Sequence, residues 1–551
     1  MGSGMSGADR WRLAVLLLGA GALLFIGWKL LWFLTDDAFI TFRYVSNSVL
    51  GHGYVWNAAP FRPVEGYSSF LWVLILDGVW RLTGWQPPEV ANFIALGCSF
   101  LSLVLAAVLV LRLRWRQELL AWRFVLAGLV LLGLVTNRTF LTWSSSGFET
   151  ALFNLLVFAW LAVGVGASPM RPRGALALST LAACLHLARP EGVLFAGATI
   201  AMFASRDLAP WRSPRALAAC TPLLVIPIHF LWRHSFYGEW LPNTYYAKIV
   251  GAWPASGARY ALSFVLEYAL WVPLVVMLVA AATQKRVTTG RMASPSMMAW
   301  ICVLTLVAHV SYYTFIVGGD HFEYRVYSHL LAPGFVALVW LANQSGLRGR
   351  TIAFLFAAQI ALALPLPWHH WALTRHLETR ETTRRMRVAV APHWPPVLRE
   401  YARLFDGLQA WLIEHWVCVR HQEHKVNQEY LVTLYPSRAE GEQLPADGFP
   451  VHAFQAVGVA SWTLPHVNVI DLLGLNDWVI ARTPVDVTRF RGMAHERRAP
   501  EGYADCFEPN VFLAPDGGVQ IAVRPTAMNA GVIEECEGTW RERVRASRSG
   551  P

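Results

Sequence analysis

Long apolar runs constrain this chain more than any other feature of its sequence. The first run extends from about Trp11 to Phe33, enough for a helix to cross the ~30 Å hydrocarbon core of a bilayer. It is too long for the core of a signal peptide and lacks a small-residue cleavage site, so we interpret it as a retained span. Of the 551 residues, 55% are hydrophobic and 15% are charged. This composition excludes an ordinary soluble enzyme and indicates several membrane spans.

Further apolar runs predict a polytopic α-helical membrane protein with eleven spans in all. After the first, they lie near 89–111, 119–136, 148–166, 174–188, 192–204, 216–232, 261–282, 298–317, 329–343 and 351–367. Another stretch, 68–83, is apolar but short, and it carries Asp77 and Arg81. Counting it as a span would invert the predicted orientation of every later span and loop. We therefore predict that 68–83 forms a juxtamembrane helix or a re-entrant hairpin.

Basic side chains set the predicted orientation. Arg10 and Arg12 hold the start of the first span on the inner side, and every later basic cluster then also falls inside, as the positive-inside rule requires. Residues 1–367 carry 26 basic and 14 acidic side chains, a balance of +12, and residues 368–551 carry 20 and 22, which brings the net charge to +10. This placement argues against nucleic acid as a partner. The clusters are Arg112/Arg114/Arg116/Arg123, Arg171/Arg173, Arg206/Arg212/Arg215, Lys285/Arg286/Arg291 and Arg348/Arg350.

The composition changes after Trp368, where the apolar runs stop. We call residues 1–367 the membrane half and 368–551 the tail. The tail has scattered charges, a short segment with strand-like alternation at Leu431–Tyr435, and a turn at Pro515–Gly518. These features predict a separate soluble α/β domain, on the outer side, after a membrane domain whose outer loop is 35–88. Cys506 and Cys536 could form a disulfide there or remain free thiols, and the sequence favours neither.

An acidic pair, Asp36 and Asp37, directly follows the first span. Two adjacent carboxylates at a membrane boundary repel each other and are partly desolvated, so at least one has a raised pKa or shares a cation. Either state suits a general base. The alternative is that the pair caps the helix that follows, since Asp is favoured at helix starts. The pair alone does not decide between these interpretations.

Other polar side chains lie in five loops of the predicted outer face. Taken singly, each has a structural explanation, such as a local ion pair of Arg189 with Glu191 or ordinary hydrogen bonding by His321. Taken together, cations retained on an acid-rich face indicate an anionic ligand such as a lipid-headgroup phosphate. The candidate phosphate ligands are Arg43, Lys248 and Arg325. The other candidates are Glu65, Tyr67, Glu149, Arg189, Glu191, Asn243, Tyr246, Asp320 and His321.

The ordered motifs of these loops resemble the polytopic C-type glycosyltransferases that take sugars from polyprenyl-phosphate carriers, and within them the arabinofuranosyltransferase-like branch. The motifs are Asp36-Asp-Ala-Phe-Ile-Thr-Phe-Arg-Tyr44, Gly51-His-Gly-Tyr-Val-Trp-Asn57, Val64-Glu-Gly-Tyr-Ser-Ser69, Gly147-Phe-Glu-Thr150, Arg189-Pro-Glu-Gly192, Pro242-Asn-Thr-Tyr-Tyr246 and Gly318-Gly-Asp320. In the tail, Asp471–Asp477 and Met493–Glu496 look similar to the tails of actinobacterial terminal arabinofuranosyltransferases.

This resemblance implies a GT-C fold in the bacterial inner membrane, with the site and the tail facing the periplasm. It implies transfer of arabinofuranose from a polyprenyl-phosphate donor to a glycan or glycoprotein acceptor, with Asp36 as the base and Asp37 as its partner. The other candidate side chains would contact the sugar or the acceptor. A divalent cation (Mg, Mn or Ca) at the acidic pair is compatible with this chemistry, although no ligand motif demands one.

Two alternatives remain. One is a transferase of another lipid-linked sugar, such as mannose or another hexose. The other is a transporter or flippase of lipid-linked sugars, but the chain shows no internal repeat. Its acids also lie at the outer boundary instead of near mid-membrane, where transporters place their polar groups.

Overall fold

The structure, a computed structural model, describes residues 5–166, 172–204, 214–276, 296–385, 387–388, 392–488, 491–515, 517–524 and 528–549. Helices dominate these residues. In the membrane half the α-helices are Gly7–Leu30, Asp36–Val49, Phe70–Thr83, Pro87–Arg112, Arg123–Val135, Arg138–Thr142, Thr150–Gly166, Pro172–Ala188, Gly192–Ala204, Pro214–Ala218, Val225–Tyr237, Asn243–Lys248, Pro254–Glu267, Met297–Ser311, Leu331–Gln344, Gly349–Leu362 and Pro365–Thr374. In the tail they are Arg380–Arg385, Pro396–Glu414, His421–Leu434, Arg438–Gly441, Val457–Thr463 and Ala530–Ser549.

Six of the predicted spans form helices that are long and apolar enough to cross a membrane, within the described ranges. Two more predicted spans form shorter apolar helices, Thr150–Gly166 and Gly192–Ala204. The chain is therefore a multi-pass membrane protein, as its apolar runs predict. The six long segments, with their short 3-10 or π turns included, are Gly7–Leu30, Pro87–Arg112, Gln117–Val135, Met297–Val317, Arg325–Gln344 and Gly349–Thr374.

The other three predicted spans differ from expectation. The run at 174–188 forms a helix of 17 residues, Pro172–Ala188. The run at 216–232 is broken, because Pro222 starts a 3-10 turn, Thr221–Leu224, that separates two helices. In the run at 261–282, helix Pro254–Glu267 ends early and residues 277–282 lie outside the described residues. Several loop cations lie outside them as well, namely Arg171, Arg206, Arg212, Lys285, Arg286 and Arg291.

The stretch at 68–83 forms a short helix, Phe70–Thr83, as predicted. Its 14 residues cover about 21 Å at 1.5 Å per residue, less than the ~30 Å of the hydrocarbon core. One face is buried and includes Asp77, which accepts a hydrogen bond from the Tyr54 hydroxyl (3.0 Å) and pairs with Arg81 (3.0 Å). Leu82 is 87% exposed near the end of the helix.

The tail is not separate from the membrane half. Helix Pro365–Thr374 runs through the predicted boundary between 367 and 368. One hydrophobic core contains side chains from both parts, with the Phe42 ring 6.1 Å from the ring of Trp462. Loops of the membrane half and the tail therefore enclose a shared interior.

Four short strands give the tail its α/β character. Strand β1 (Val451–Phe454) pairs in parallel with β2 (Asn468–Asp471), and β3 (Val511–Leu513) pairs antiparallel with β4 (Val519–Ile521). The predicted turn at Pro515–Gly518 joins β3 to β4, and its two glycines adopt positive φ; Asp516 lies outside the described residues.

The strand predicted at Leu431–Tyr435 is wrong, because helix His421–Leu434 covers all but its last residue. Leu431 and Tyr435, four positions apart, are both buried, while Val432 and Thr433 between them are exposed. This is the burial spacing of a helix face. Packing of that face prevails over the β-propensity of the segment.

A disulfide joins Cys506 to Cys536, so of the two states left open by the sequence the structure contains the bridge. The Cα atoms of the two cysteines are 6.0 Å apart, and the bridge spans 30 positions of the chain. It attaches the C-terminal helix, Ala530–Ser549, to the 3-10 turn Asp505–Phe507.

A buried ion-pair network also connects the tail to the membrane half. The Arg420 guanidinium donates two hydrogen bonds of 2.8 Å to Glu267 and lies 3.1 Å from Glu323. Arg138 pairs with the same Glu323 at 3.3 Å, and all four side chains are at least 95% buried. Such a network tolerates the loss of one member poorly, because an unpaired buried charge is costly.

Candidate active site

The acidic pair occupies the first turn of helix Asp36–Val49, directly after the first span. The Asp36 carboxylate does not cap its own helix. It accepts hydrogen bonds from the backbone N–H groups of Gly458 (3.2 Å) and Val459 (2.7 Å), at the start of the tail helix Val457–Thr463. The tail therefore fixes the orientation of this carboxylate.

Position 458 has room only for glycine. A Cβ atom there would lie 1.8 Å from the backbone oxygen of Asp36, a distance at which atoms clash. The absence of a side chain lets the two backbones approach and places the N–H groups against the carboxylate.

The pKa of Asp36 is raised to about 7, mainly by burial and also by the negative charge of Asp37. The two backbone hydrogen bonds act in the opposite direction, because they favour the ionised form. Only 7% of Asp36 is exposed. The result is an oriented carboxylate that titrates near neutral pH, as a general base requires.

A small cavity of about 40 Å³ lies beside the pair. Its wall includes Asp36, Asp37, Lys248 and His321 from the membrane half. Asp37 is half-buried, and no hydrogen bond from the described residues holds its carboxylate. Ile40 and Phe322 of the membrane half also line it, and the tail supplies the rest of the wall, namely Gln455, Val457, Asp471, Leu473, Leu475, Ala494 and His495.

A second cavity, of about 410 Å³, adjoins the first, and Lys248 and Ala494 line both. At the Lys248 end its lining is polar and comprises Arg189, Glu191, Asp320 and Arg325. Elsewhere the lining is mostly apolar or aromatic. Three of these lining side chains are also exposed on the protein surface: Val193 (48%), Tyr245 (41%) and Tyr312 (36%).

The cations around the larger cavity differ in how they are neutralised. Arg189 donates to Glu191 (2.6 Å) and to Glu149 (3.3 Å). Arg325 forms a two-point pair with Asp320, at 2.7 and 3.0 Å.

Lys248 stands apart, because no ion pair or hydrogen bond within the described part of the chain engages its ammonium. Burial lowers the pKa of this lysine, since a desolvated cation without a close partner is disfavoured. A ligand with negative charge would relieve that cost.

The structure thus brings together nine of the sequence candidates: eight line the two cavities, and Glu149 pairs with one of them, Arg189. It places the five others elsewhere. Arg43 is 2% exposed, and its guanidinium donates to five backbone carbonyls. They belong to Trp56, Ser461, Leu464, Pro465 and Val467. The Arg43 guanidinium therefore faces these carbonyls and lines neither cavity. It is not placed for the phosphate contact expected of it.

Four other candidates brace the loops instead of lining either cavity. Glu65 pairs with Arg233 at 2.6 and 3.2 Å, and the Tyr67 hydroxyl lies 3.1 Å from that of Tyr237. Asn243 donates to the backbone carbonyls of Gly474, Leu475 and Asp477 in the tail. Tyr246 lies beneath the guanidinium of Arg482, 3.9 Å from it. Asn243 begins the helix that ends at Lys248, so the tail also positions that lysine.

Sequence reasoning missed the tail residues of the site, above all Met493, Ala494 and His495. The signal was present as the Met493–Glu496 motif, but no local pattern says which part of the membrane half such a motif will contact.

A divalent cation at the acidic pair stays a prediction from the sequence. Among the described residues no group of three or more His, Cys, Asp or Glu side chains is placed to hold a metal ion. Both oxygens of Asp36 already accept backbone N–H bonds, and the Lys248 ammonium lines the same cavity. Like charge would repel a metal ion there, and no step proposed below involves one.

Comparison with known proteins shows which sequences this chain is similar to. No family model matches the chain. It is 31% identical over 264 residues to the terminal β-(1→2)-arabinofuranosyltransferase of Mycobacterium tuberculosis, covering 45% of this chain and 40% of the relative. It is 27% identical over 372 residues to the same-named protein of Corynebacterium glutamicum, covering 61% and 52%. The matches thus span about half the length of these relatives.

Among solved structures, the chain is similar to ArnT from Cupriavidus metallidurans, crystallised with undecaprenyl phosphate. The TM-score is 0.54 at 12% sequence identity, over 88% of this chain and 90% of that one. Similarity at this level of identity shows the fold. The chain has the GT-C fold of that structure, and in sequence it is similar to the terminal arabinofuranosyltransferases.

Proposed function

We propose that this chain is a membrane glycosyltransferase that moves arabinofuranose from a polyprenyl-phosphate donor to a hydroxyl of a glycan or glycoprotein acceptor. The observation that carries the proposal is the junction of the two cavities at Lys248. A free cation there faces the buried carboxylates on one side and a largely apolar cavity on the other. A lipid-linked phosphate sugar has the matching order of parts: an apolar chain, an anion and a hydroxylated ring. The names of the relatives support arabinofuranose, and the lipid bound to ArnT supports the carrier.

The proposed mechanism has the donor enter from the lipid through the larger cavity. Its phosphate binds the Lys248 ammonium and the outer nitrogens of Arg325, while its isoprenoid chain follows the apolar wall toward Val193 and Tyr312. The acceptor hydroxyl gives its proton to Asp36 as its oxygen bonds to the anomeric carbon. The bond from that carbon to the phosphate oxygen breaks, and polyprenyl phosphate leaves. Phosphate is a good leaving group, so orientation and charge stabilisation supply most of the rate.

The proposed location is the bacterial inner membrane, with both cavities and the tail on the periplasmic side. In the topology predicted from the sequence, the basic loops fall on the side of the membrane opposite to Asp36. Acceptors built outside the cytoplasm would reach the acidic pair from that side.

A panel of lipid-linked sugars tests the proposal. Purified protein in detergent would be incubated with polyprenyl-phosphate arabinofuranose or polyprenyl-phosphate mannose, each radiolabelled, and with an octyl arabinofuranoside acceptor. We expect label in the acceptor from the arabinose donor at ten or more times the rate from mannose. Transfer from mannose alone would support the other-hexose alternative, and absence of transfer from both would contradict the proposal.

Replacing Lys248 by Met should weaken donor binding most. A hydrogen bond to a charged group contributes about 1.5–3 kcal/mol, which corresponds to a rise of roughly 10- to 100-fold in the donor KM. Lys248→Arg keeps the positive charge and should raise the donor KM less. The matched control is Lys425→Met, since Lys425 in the tail pairs with Glu429 and lines neither cavity. A donor KM unchanged in Lys248→Met would remove the phosphate role from this lysine.

The pH profile of kcat/KM should report Asp36. Only the ionised carboxylate accepts a proton, and its pKa is about 7, so transfer should fall tenfold per pH unit below pH 7 and level off above it. Asp37→Asn removes a negative charge that raises the pKa of Asp36. The midpoint in that variant should therefore move to lower pH. A profile that is flat from pH 5 to pH 8 would contradict the assignment of Asp36.

A further inference from the structure

The tail loop Met493–His495 forms the partition between the two cavities. Met493 lines the larger cavity, His495 lines the smaller one, and Ala494 lines both. The loop is held by backbone hydrogen bonds, from Met493 N–H to the His415 carbonyl and from His495 N–H to the Gly492 carbonyl, both of 2.9 Å.

Ala494 in this loop has φ +62°, in the left-handed region that residues with a side chain rarely adopt. Such a conformation persists only where the surrounding structure fixes it. This residue lines both cavities, together with Lys248.

The ring of His495, which lines the smaller cavity, keeps one hydrogen-bond acceptor unengaged by the described residues. Its Nδ1 lies 2.7 Å from the backbone oxygen of Met493. Since a carbonyl only accepts, Nδ1 carries the hydrogen, and Nε2 keeps a free lone pair. Burial lowers the pKa of His495 to about 4, so the ring is neutral at physiological pH. No protein hydrogen bond within the described ranges engages Nε2.

His321 repeats this arrangement across the same cavity. Its Nδ1 lies 2.8 Å from the backbone oxygen of Trp416, and its ring centroid is 4.7 Å from that of His495. Two neutral imidazoles and the Asp36 and Asp37 carboxylates therefore line one small space, with the Lys248 ammonium at its edge. The polar groups of this wall are mostly hydrogen-bond acceptors, and such a set fits a ligand that carries several hydroxyl donors and no negative charge.

We propose that His495 is an acceptor-positioning residue, whose Nε2 accepts a hydrogen bond from a hydroxyl of the acceptor sugar next to the hydroxyl that is glycosylated. This inference rests on the proposed function. It assigns the smaller cavity to the neutral, hydroxyl-rich end of a glycan, and it makes the tail loop the element that selects which hydroxyl faces Asp36. An acceptor ending in a uronic acid would be rejected, because its carboxylate would face Asp36 and Asp37.

The test compares His495→Phe and His495→Gln with wild type. His495→Phe keeps a flat ring and removes the acceptor nitrogen, while His495→Gln retains an acceptor oxygen. The matched control is His415→Phe, because His415 stacks on Trp411 with ring centroids 3.9 Å apart and lines neither cavity. The assays use full-length protein, polyprenyl-phosphate arabinofuranose, and octyl glycosides ending in arabinofuranose or in a uronic acid.

For His495→Phe we expect the KM of the neutral acceptor to rise about tenfold, with mixed linkages in the product. Donor hydrolysis without acceptor should fall by a smaller factor than the acceptor KM rises, and in His495→Gln the acceptor KM should rise less. A merely structural role would change donor hydrolysis and acceptor KM together, and that result would overturn the proposal. So would an unchanged acceptor KM, or equal use of the uronic acid acceptor by wild type. If His495→Phe does not yield folded protein by thermal unfolding, the same criteria apply to His495→Leu, which also removes the acceptor nitrogen.

The two proposals fail differently. A folded wild-type chain that transfers sugar from no donor contradicts the proposed function, and this inference with it. Normal wild-type transfer with unchanged His495 variants contradicts only the role of His495.

Discussion

Asp36→Asn is expected to lower kcat by about 10²- to 10⁴-fold, the range that a positioned general base contributes. The amide has nearly the shape of the carboxylate but cannot take the proton of the acceptor hydroxyl. Donor KM should change little, because the proposed phosphate contacts of Lys248 and Arg325 are untouched. The measurement is single-turnover transfer of radiolabelled arabinofuranose by wild type and variant at saturating donor.

Two controls separate chemistry from folding in this experiment. Asn can accept only one of the two backbone N–H bonds that Asp36 accepts, so the thermal unfolding temperature of the variant must be measured beside its activity. Asp77→Asn provides a buried aspartate from the same outer region that lines neither cavity, and kcat there should stay within about threefold of wild type. A kcat above a tenth of wild type in Asp36→Asn would contradict the assignment. Loss of transfer in Asp37→Asn alone would give the base role to Asp37.

Arg420→Met should produce the largest loss of stability. The substitution leaves Glu267 without a cation and leaves Glu323 with Arg138 alone, all of them buried. Breaking a buried pair by removing one partner costs about 3–5 kcal/mol, because the remaining charge cannot be solvated. The tail should therefore detach from the membrane half at lower temperature or denaturant concentration. The measurement is the free energy of unfolding in detergent, with near-ultraviolet circular dichroism as the signal.

The matched control for this network is Arg403→Met. Arg403 pairs with Glu400, and both side chains are more than 60% exposed, so its loss should cost about 0–1 kcal/mol. In the double variant with Glu267→Met, a methionine replaces the buried carboxylate that lost its cation, and part of the stability should return. Equal costs for Arg420→Met and Arg403→Met would show that the network contributes no more than a surface pair.

The spans were predictable because long apolar runs have one favourable environment. Prediction failed where a local feature competes with hydropathy. Pro222 divides one predicted span into two helices, and a buried helix face overrides the strand pattern of Leu431–Tyr435. The contacts between the tail and the membrane half could not be predicted for a different reason: composition changes at 368, but contact between two parts of a chain leaves no local trace.

The candidate site was also predictable only in part. Asp36, Asp37 and Lys248 stood out because charged groups at a membrane boundary need a reason to be there. Arg43 met the same criterion, yet its guanidinium donates to five backbone carbonyls, one of Trp56 and four of the tail. The contact of Asp36 with Val459 spans 423 positions, so the sequence could not reveal that the tail orients the carboxylate, or that His495 lines the same cavity.

The most direct test distinguishes transfer from transport. Purified wild-type protein would be reconstituted in vesicles whose outer leaflet carries radiolabelled polyprenyl-phosphate arabinofuranose, with octyl arabinofuranoside outside. For protein oriented with the tail outward, we expect label to appear in the external acceptor, free polyprenyl phosphate to accumulate, and Asp36→Asn to do neither. Lipid-linked label that becomes protected inside the vesicles, with no glycosylated acceptor formed, would contradict the transferase and identify a flippase.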